Sequence, residues 1–124
     1  MQFWYFGDFG QFEYNLKESD KYLVEAKTLF EYNQYLLGYN ALEKSNRYFQ
    51  QTLPHLIAAK NHGKDSTINR ALLSSAAEKH EEVLSLIKQE TPATFTWSPE
   101  KAPASTLRIH ALLDMSIEIA KKDL

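Results

Sequence analysis

Four histidines are the side chains in this sequence best able to move protons near neutral pH, and His80 is the one placed to matter. On a 3.6-residue period it falls on the inner face of a helix, between Ala76 and Val83. As a general base it would need an orienting carboxylate and a cleft open to substrate, and no acidic residue stands at a telling spacing. The expectation is therefore a core imidazole hydrogen-bonded to a tyrosine or carboxylate on a facing helix. An enzyme or metal protein centred on His80 is the alternative. His55, His62, His80 and His110 form no metal set: there is no His-Glu-x-x-His and no Glu-x-x-His, and the one close ligand pair is His110 with Asp114 at i,i+4. Neither metal nor cofactor is expected, and the chain reads as no enzyme.

Other chemistries lack their residues. Small helical ribonucleases place His four to six residues after Arg, and Arg47, Arg70 and Arg108 have none there. Gly-rich phosphate loops and serine nucleophile elbows are missing. Basic residues do not gather on one helix face, which argues against nucleic acid as a partner. A single tetratricopeptide-like hairpin can be traced up to Pro54, but no second copy follows 34 residues on, and one hairpin of a bundle explains the same residues.

Aromatic residues are the other chemically distinctive feature. Phe3, Trp4, Tyr5, Phe6 and Phe9 crowd the first ten positions, and Phe95 and Trp97 alternate with Thr94 and Thr96. The first group is expected to form an N-terminal arm (1–10) that packs its rings on a bundle. Gly7 and Gly10 argue against a continuous helix there. Trp97 is expected to anchor an extended strap. An aromatic groove of Trp4, Phe6, Phe95 and Trp97 for a peptide, lipid or sugar is the sharper reading.

Helices must position all of these. The longest apolar pattern spans 35–61, where Tyr35, Tyr39, Leu42, Phe49, Leu53, Leu56 and Ile57 share a face flanked by Leu37, Ala41, Tyr48, Thr52 and Ala59. Pro54 lies on its polar side, and a kink there fits a face that stays in phase better than a break at Leu53. A first helix over 11–33 turns inward Phe12, Leu16, Leu23, Ala26 and Phe30. The link Asn33-Gln34 then forces an antiparallel return. Glu43 and Arg47 are spaced to pair on the outer side. Gly63 ends the central helix, and Asp65 or Ser66 caps a third over 67–89, with Ile68, Leu72, Leu73, Ala76, Val83, Leu84 and Ile87 inward. Pro92, Pro99 and Pro103 make 91–104 an extended strap. Ser105 then caps a last helix to about Asp123, with Ile109, Leu113, Ile117 and Ala120 inward.

The whole, 124 residues with four Gly, four Pro, no Cys and a formal charge of −2, fits one all-α domain (1–124). Three long helices in up-down-up order, a Pro-containing strap and a closing fourth helix should form a single bundle with one core and no sheet. The weak, dispersed charge recruits neither nucleic acid nor anionic lipid. No apolar run is long enough to span a bilayer.

Four segments carry a family resemblance. They are Ser19-Asp20-Lys21-Tyr22-Leu23-Val24-Glu25-Ala26, Ala41-Leu42-Glu43-Lys44-Ser45-Asn46-Arg47-Tyr48-Phe49, Ala58-Ala59-Lys60-Asn61-His62-Gly63-Lys64-Asp65 and Lys79-His80-Glu81-Glu82-Val83-Leu84. Their order and spacing resemble an uncharacterised all-helical domain, a domain of unknown function, of bacterial and archaeal proteins. The resemblance covers about residues 12–89. It implies an extracytoplasmic or cell-surface location, because a signal or membrane segment often precedes that domain, and it supplies no functional residue. Together these readings lead to the expectation of a non-catalytic helical interaction or scaffolding domain with a protein partner. Membrane proximity through an N-terminal segment missing here, and a monomer or weak homodimer, complete it.

Overall fold

The computed structural model describes residues 7–97 and 103–122, and among these the fold is all-α apart from one small hairpin. Helix α1 runs Asp8–Glu31, α2 Tyr35–Gln50, α3 Thr52–Asn61 and α4 Thr67–Glu90. Strands β1 (Phe95–Trp97) and β2 (Ser105–Leu107) follow, and α5 (Ile109–Lys121) closes the order. Helix α1 packs against α2 and α3 on one side and α4 on another, while α5 fills the space between α4 and α2. Two antiparallel hairpins, α1 with α2–α3 and α4 with α5, are thus laid together so that α1 lies beside α4 and α2 beside α5.

The reversal after α1 is made by Asn33, whose φ of 60° is the left-handed conformation that asparagine tolerates better than most residues. Helix α1 also starts earlier than glycine content implies and carries Gly10 in its first turn. Phe9 and Phe12 pack into the core from that turn. Burying them outweighs the roughly 1 kcal/mol that a helical glycine costs. The remainder of the aromatic arm, residues 1–6 with Trp4 and Phe6, lies outside the described residues.

The central pattern is divided rather than merely kinked. Gln51 separates α2 from α3, although its backbone stays near-helical (φ −84°, ψ −10°). Pro54 has no amide to give the Gln50 carbonyl, so the ladder is interrupted one turn ahead of the proline. The Thr52 hydroxyl donates instead to the Phe49 carbonyl at 2.6 Å. The buried seam is Gly38, Leu42, Ser45, Phe49, Thr52, Leu56 and Ala59, the alternating four-and-three spacing of coiled-coil packing. Ile57 lies on the far side of that seam and is exposed. Small residues let α1 approach closely there, which turns the larger Ile57 out to water. Helix α4 follows the same spacing through Leu73, Ala77, His80, Leu84 and Ile87, leaving Ile68 and Leu72 in solvent rather than inward.

Two further expectations need correcting. The strap is a two-stranded antiparallel hairpin, pairing Phe95 with Leu107, Thr96 with Thr106 and Trp97 with Ser105. An extended chain leaves its backbone groups unpaired, and folding it back on itself satisfies them. Phe95 and Leu107 rest on the core while the Thr96 and Thr106 hydroxyls meet at 3.3 Å outside. Ser105 is therefore a strand residue, and Arg108 precedes α5 with no side-chain cap. The start of α5 is tied instead by His110, whose amide bonds the Ala93 carbonyl and whose Nε2 donates to that of Thr91 (2.8 Å).

Nor is the core one body. An upper cluster gathers Leu23, Phe30, Leu42, Leu84, Ile109 and Leu113 near the hairpin, and a lower one gathers Phe12, Phe49, Leu56, Leu73 and Ile119. Between them each layer helix contributes a polar side chain at one level: Ser19, Ser45, His80 and Ser116, all buried. Ser45 donates to the Ser19 carbonyl (2.8 Å), Asn46 donates to the Ser116 hydroxyl (2.7 Å), and that hydroxyl donates to the Leu112 carbonyl. No described side chain buried here is left without a partner.

Candidate functional site

His80 sits at this polar level on α4, buried, with its ring 4.5 Å from that of Phe49. Its Nε2 lies 2.6 Å from Asp20 Oδ1 on α1. A carboxylate only accepts, so the imidazole donates and the Nε2 proton is committed to Asp20. The partner is thus a carboxylate on a facing helix, 60 residues away in sequence. His80 is held at the floor of an open groove of about 360 Å³ between α1 and α4, lined by Leu23, Val24, Ala76, Val83 and Lys79 as well as the His–Asp pair.

The groove is mostly apolar and continues along the outer side of α4. Val24 is 64% exposed, Ile68 76%, Leu72 51% and Leu86 43%. Ile68, Leu72, Ala76, Val83 and Leu86 follow one another at helical spacing on one flank of α4; Ala76 and Val83 line the groove, and Ile68, Leu72 and Leu86 extend the row into solvent. From Ile68 to Leu86 that row is about 27 Å long at a helical rise of about 1.5 Å per residue. Lys79 stands in the middle of it, and among the described residues no acidic side chain pairs with it. A single apolar stripe on α4 would place Ile68 and Leu72 in the core, but both are exposed. The stripe on α4 is wider than one neighbour can cover, and that excess width was the available signal.

The remaining candidates are dispersed. Phe95 packs against Tyr35 with ring centres 5.0 Å apart, which makes it a structural wedge at the hairpin end. Trp4 and Phe6 lie outside the described residues, as does the side chain of Trp97, so the four-residue aromatic groove is not assembled among them. His62 bonds Asp8 at 2.9 Å at the opposite pole. Asp114 pairs with Lys88 (2.7 Å) and His110 with the Thr91 carbonyl, so each member of the one close ligand pair has another partner. Among the described residues no three histidine, aspartate or glutamate side chains converge. Nor do Glu43 and Arg47 form an ion pair, since Arg47 lines a cleft toward α1.

No model of a known protein family matches this chain, and searches of characterised proteins and of solved structures likewise find no significant match.

Proposed function

We propose that this chain is a non-catalytic helical interaction domain whose contact face is the α1/α4 groove, and that its occupant is an amphipathic helix of a partner protein. The observation that carries the reading is the exposed set Ile68, Leu72 and Leu86 on α4 with Val24 on α1, beside a groove whose half-buried wall holds Ala76 and Val83. Exposed apolar rows of this length mark contact surfaces, and a row at helical spacing matches the seam of another helix. Lys79 adds a requirement of sign: the partner helix carries a carboxylate opposite it, because an unpaired ammonium in an apolar contact is costly. Location outside the cytoplasm belongs to the same proposal and rests on the family resemblance alone.

The test is selection from a displayed library of helical peptides with apolar residues at i, i+4 and i+7 and a free central position. Binders are expected to carry Asp or Glu at that position, Lys79→Glu to reverse the preference, and the pair Val24→Asp with Leu72→Asp to abolish binding without lowering helicity. Binders that survive the double variant would overturn the reading. So would a concentration-dependent dimer that Leu72→Asp dissolves, since the groove would then be a self-interface.

A further inference from the structure

On the opposite flank of α1 a second cleft, of about 430 Å³, lies against α2 and ends at the break at Gln51. Asn15 and Tyr22 line it from α1, Lys44, Arg47, Tyr48 and Gln50 from α2, and Gln51 from the break. Tyr22 and Tyr48 stack on one another with ring centres 5.7 Å apart and planes 6° from parallel, and Tyr14 meets Tyr48 edge-on at 6.1 Å. Lys44 and Lys21 lie over the Tyr22 ring at 5.4 and 5.2 Å. Ring faces are thus occupied by each other and by ammonium groups, which leaves ring edges and the Tyr22 hydroxyl to meet a ligand. The crowding of Tyr48 beside Tyr14, with burial and Glu18 adding to it, holds the Tyr14 phenol above its ordinary pKa. Tyr14 is thus engaged with Tyr48 and supports the cleft wall from behind. Among the described residues neither Lys44 nor Arg47 has an acidic partner, and Glu18 is the nearby carboxylate, 4.0 Å from Lys21.

We propose that this cleft binds a carboxylated sugar of the uronic-acid class, with Arg47 and Lys44 on the carboxylate and the Gln50 and Gln51 amides and the Tyr22 phenol on the sugar hydroxyls. The balance of groups selects that chemistry. A guanidinium fork matches a carboxylate in two parallel hydrogen bonds. The amides of Gln50 and Gln51 both donate and accept, as does the Tyr22 phenol, and sugar hydroxyls do the same, while buried Asn15, whose Nδ2 donates to the Gln11 carbonyl at 2.7 Å, closes the inner wall. Inorganic phosphate carries only one or two P–OH donors near neutral pH and would leave most of those acceptors idle. The volume also lies within the range of small-molecule sites rather than that of a single anion.

The experiment is calorimetric titration of the whole chain with trigalacturonate, with its methyl ester, and with inorganic phosphate. Binding is expected for trigalacturonate, at least tenfold weaker for Arg47→Met, and several-fold weaker for Tyr22→Phe and Lys44→Met. The ester and phosphate should bind at least tenfold more weakly than the acid. Circular dichroism of each variant confirms that the bundle is intact. Equal binding of phosphate would reduce the cleft to a general anion site, and equal binding of the ester would remove the carboxylate from recognition. Failure of trigalacturonate to bind, or an unaltered affinity in Arg47→Met, would likewise overturn the proposal. Val24→Asp with Leu72→Asp, on the other flank of α1, should leave the titration unchanged, which separates this site from the helix-binding groove.

Discussion

At the scale of single residues, Asp65 shows how a local motif is written into sequence. Its carboxylate accepts the Thr67 amide at 3.0 Å and the Thr67 hydroxyl at 2.7 Å, and so closes the start of α4. Those two donors hold its carboxyl below the usual carboxylate range. A carboxylate depressed in the folded state stabilises the fold above its unfolded pKa of about 4, and that contribution disappears as pH falls through the lowered folded value. Asp65→Ala should therefore lower the melting temperature at pH 7, and the gap to the wild type should close between pH 4 and pH 2. A gap of unchanged size at pH 2 would assign the effect to something other than the charge. Asp8, lowered chiefly by its hydrogen bond with His62, follows the same sign. The Asp65 cap was legible because its partner is two residues away. His80 was legible as a buried imidazole in want of a tyrosine or carboxylate on a facing helix. Asp20 as the donor's acceptor was not, because nothing in the sequence says that α1 and α4 lie side by side.

At the scale of elements, the small residues carried information that apolar patterning passes over. A Cβ built on Gly38 would come 3.0 Å from the Phe30 ring, which is itself buried and packed near Tyr35. Alanine is worth up to about 1 kcal/mol more than glycine in a helix interior, whereas overpacking a tight contact costs about 1–3 kcal/mol. Gly38→Ala should then destabilise by about 1 kcal/mol in urea unfolding, and a stabilised variant would mean that Phe30 has room to retreat. The same weighting of large residues misplaced Ile57. A wheel drawn on bulk centres the stripe on side chains, while the packed face is centred where backbones come closest. The hairpin was missed for a different reason: three prolines in 91–104 hid two short runs that are extended and alternate, and a strand of three residues has almost no pattern to show.

At the scale of the whole molecule, the bundle class, the number of long segments and the antiparallel first hairpin were all present in periodicity and in the two-residue link. The division of the core was not, since serines count as surface residues until their carbonyl partners are known. Leu42 belongs to the upper cluster and Phe49 to the lower. Each truncation to alanine should cost about 3 kcal/mol. With no shared cluster, the double variant should show a coupling below about 0.5 kcal/mol in a double-mutant cycle. A coupling above 1 kcal/mol would show that the two halves act as one.

The buried level of Ser19, Ser45, His80 and Ser116 has one more consequence. Seams that repeat every three and four residues are nearly indifferent to sliding: a helix advanced by one turn, about 5.4 Å, still presents carbon to carbon. With these four polar side chains fixed at one level, such a slide would set Ser45 beneath leucines, far from the Ser19 carbonyl, and strand the His80 ring away from Asp20. Each unpaired group would cost about 1–3 kcal/mol, a large share of what holds a small domain together. The polar level therefore acts less as cement than as a vernier mark, and the price of those few polar atoms is a bundle with a single alignment.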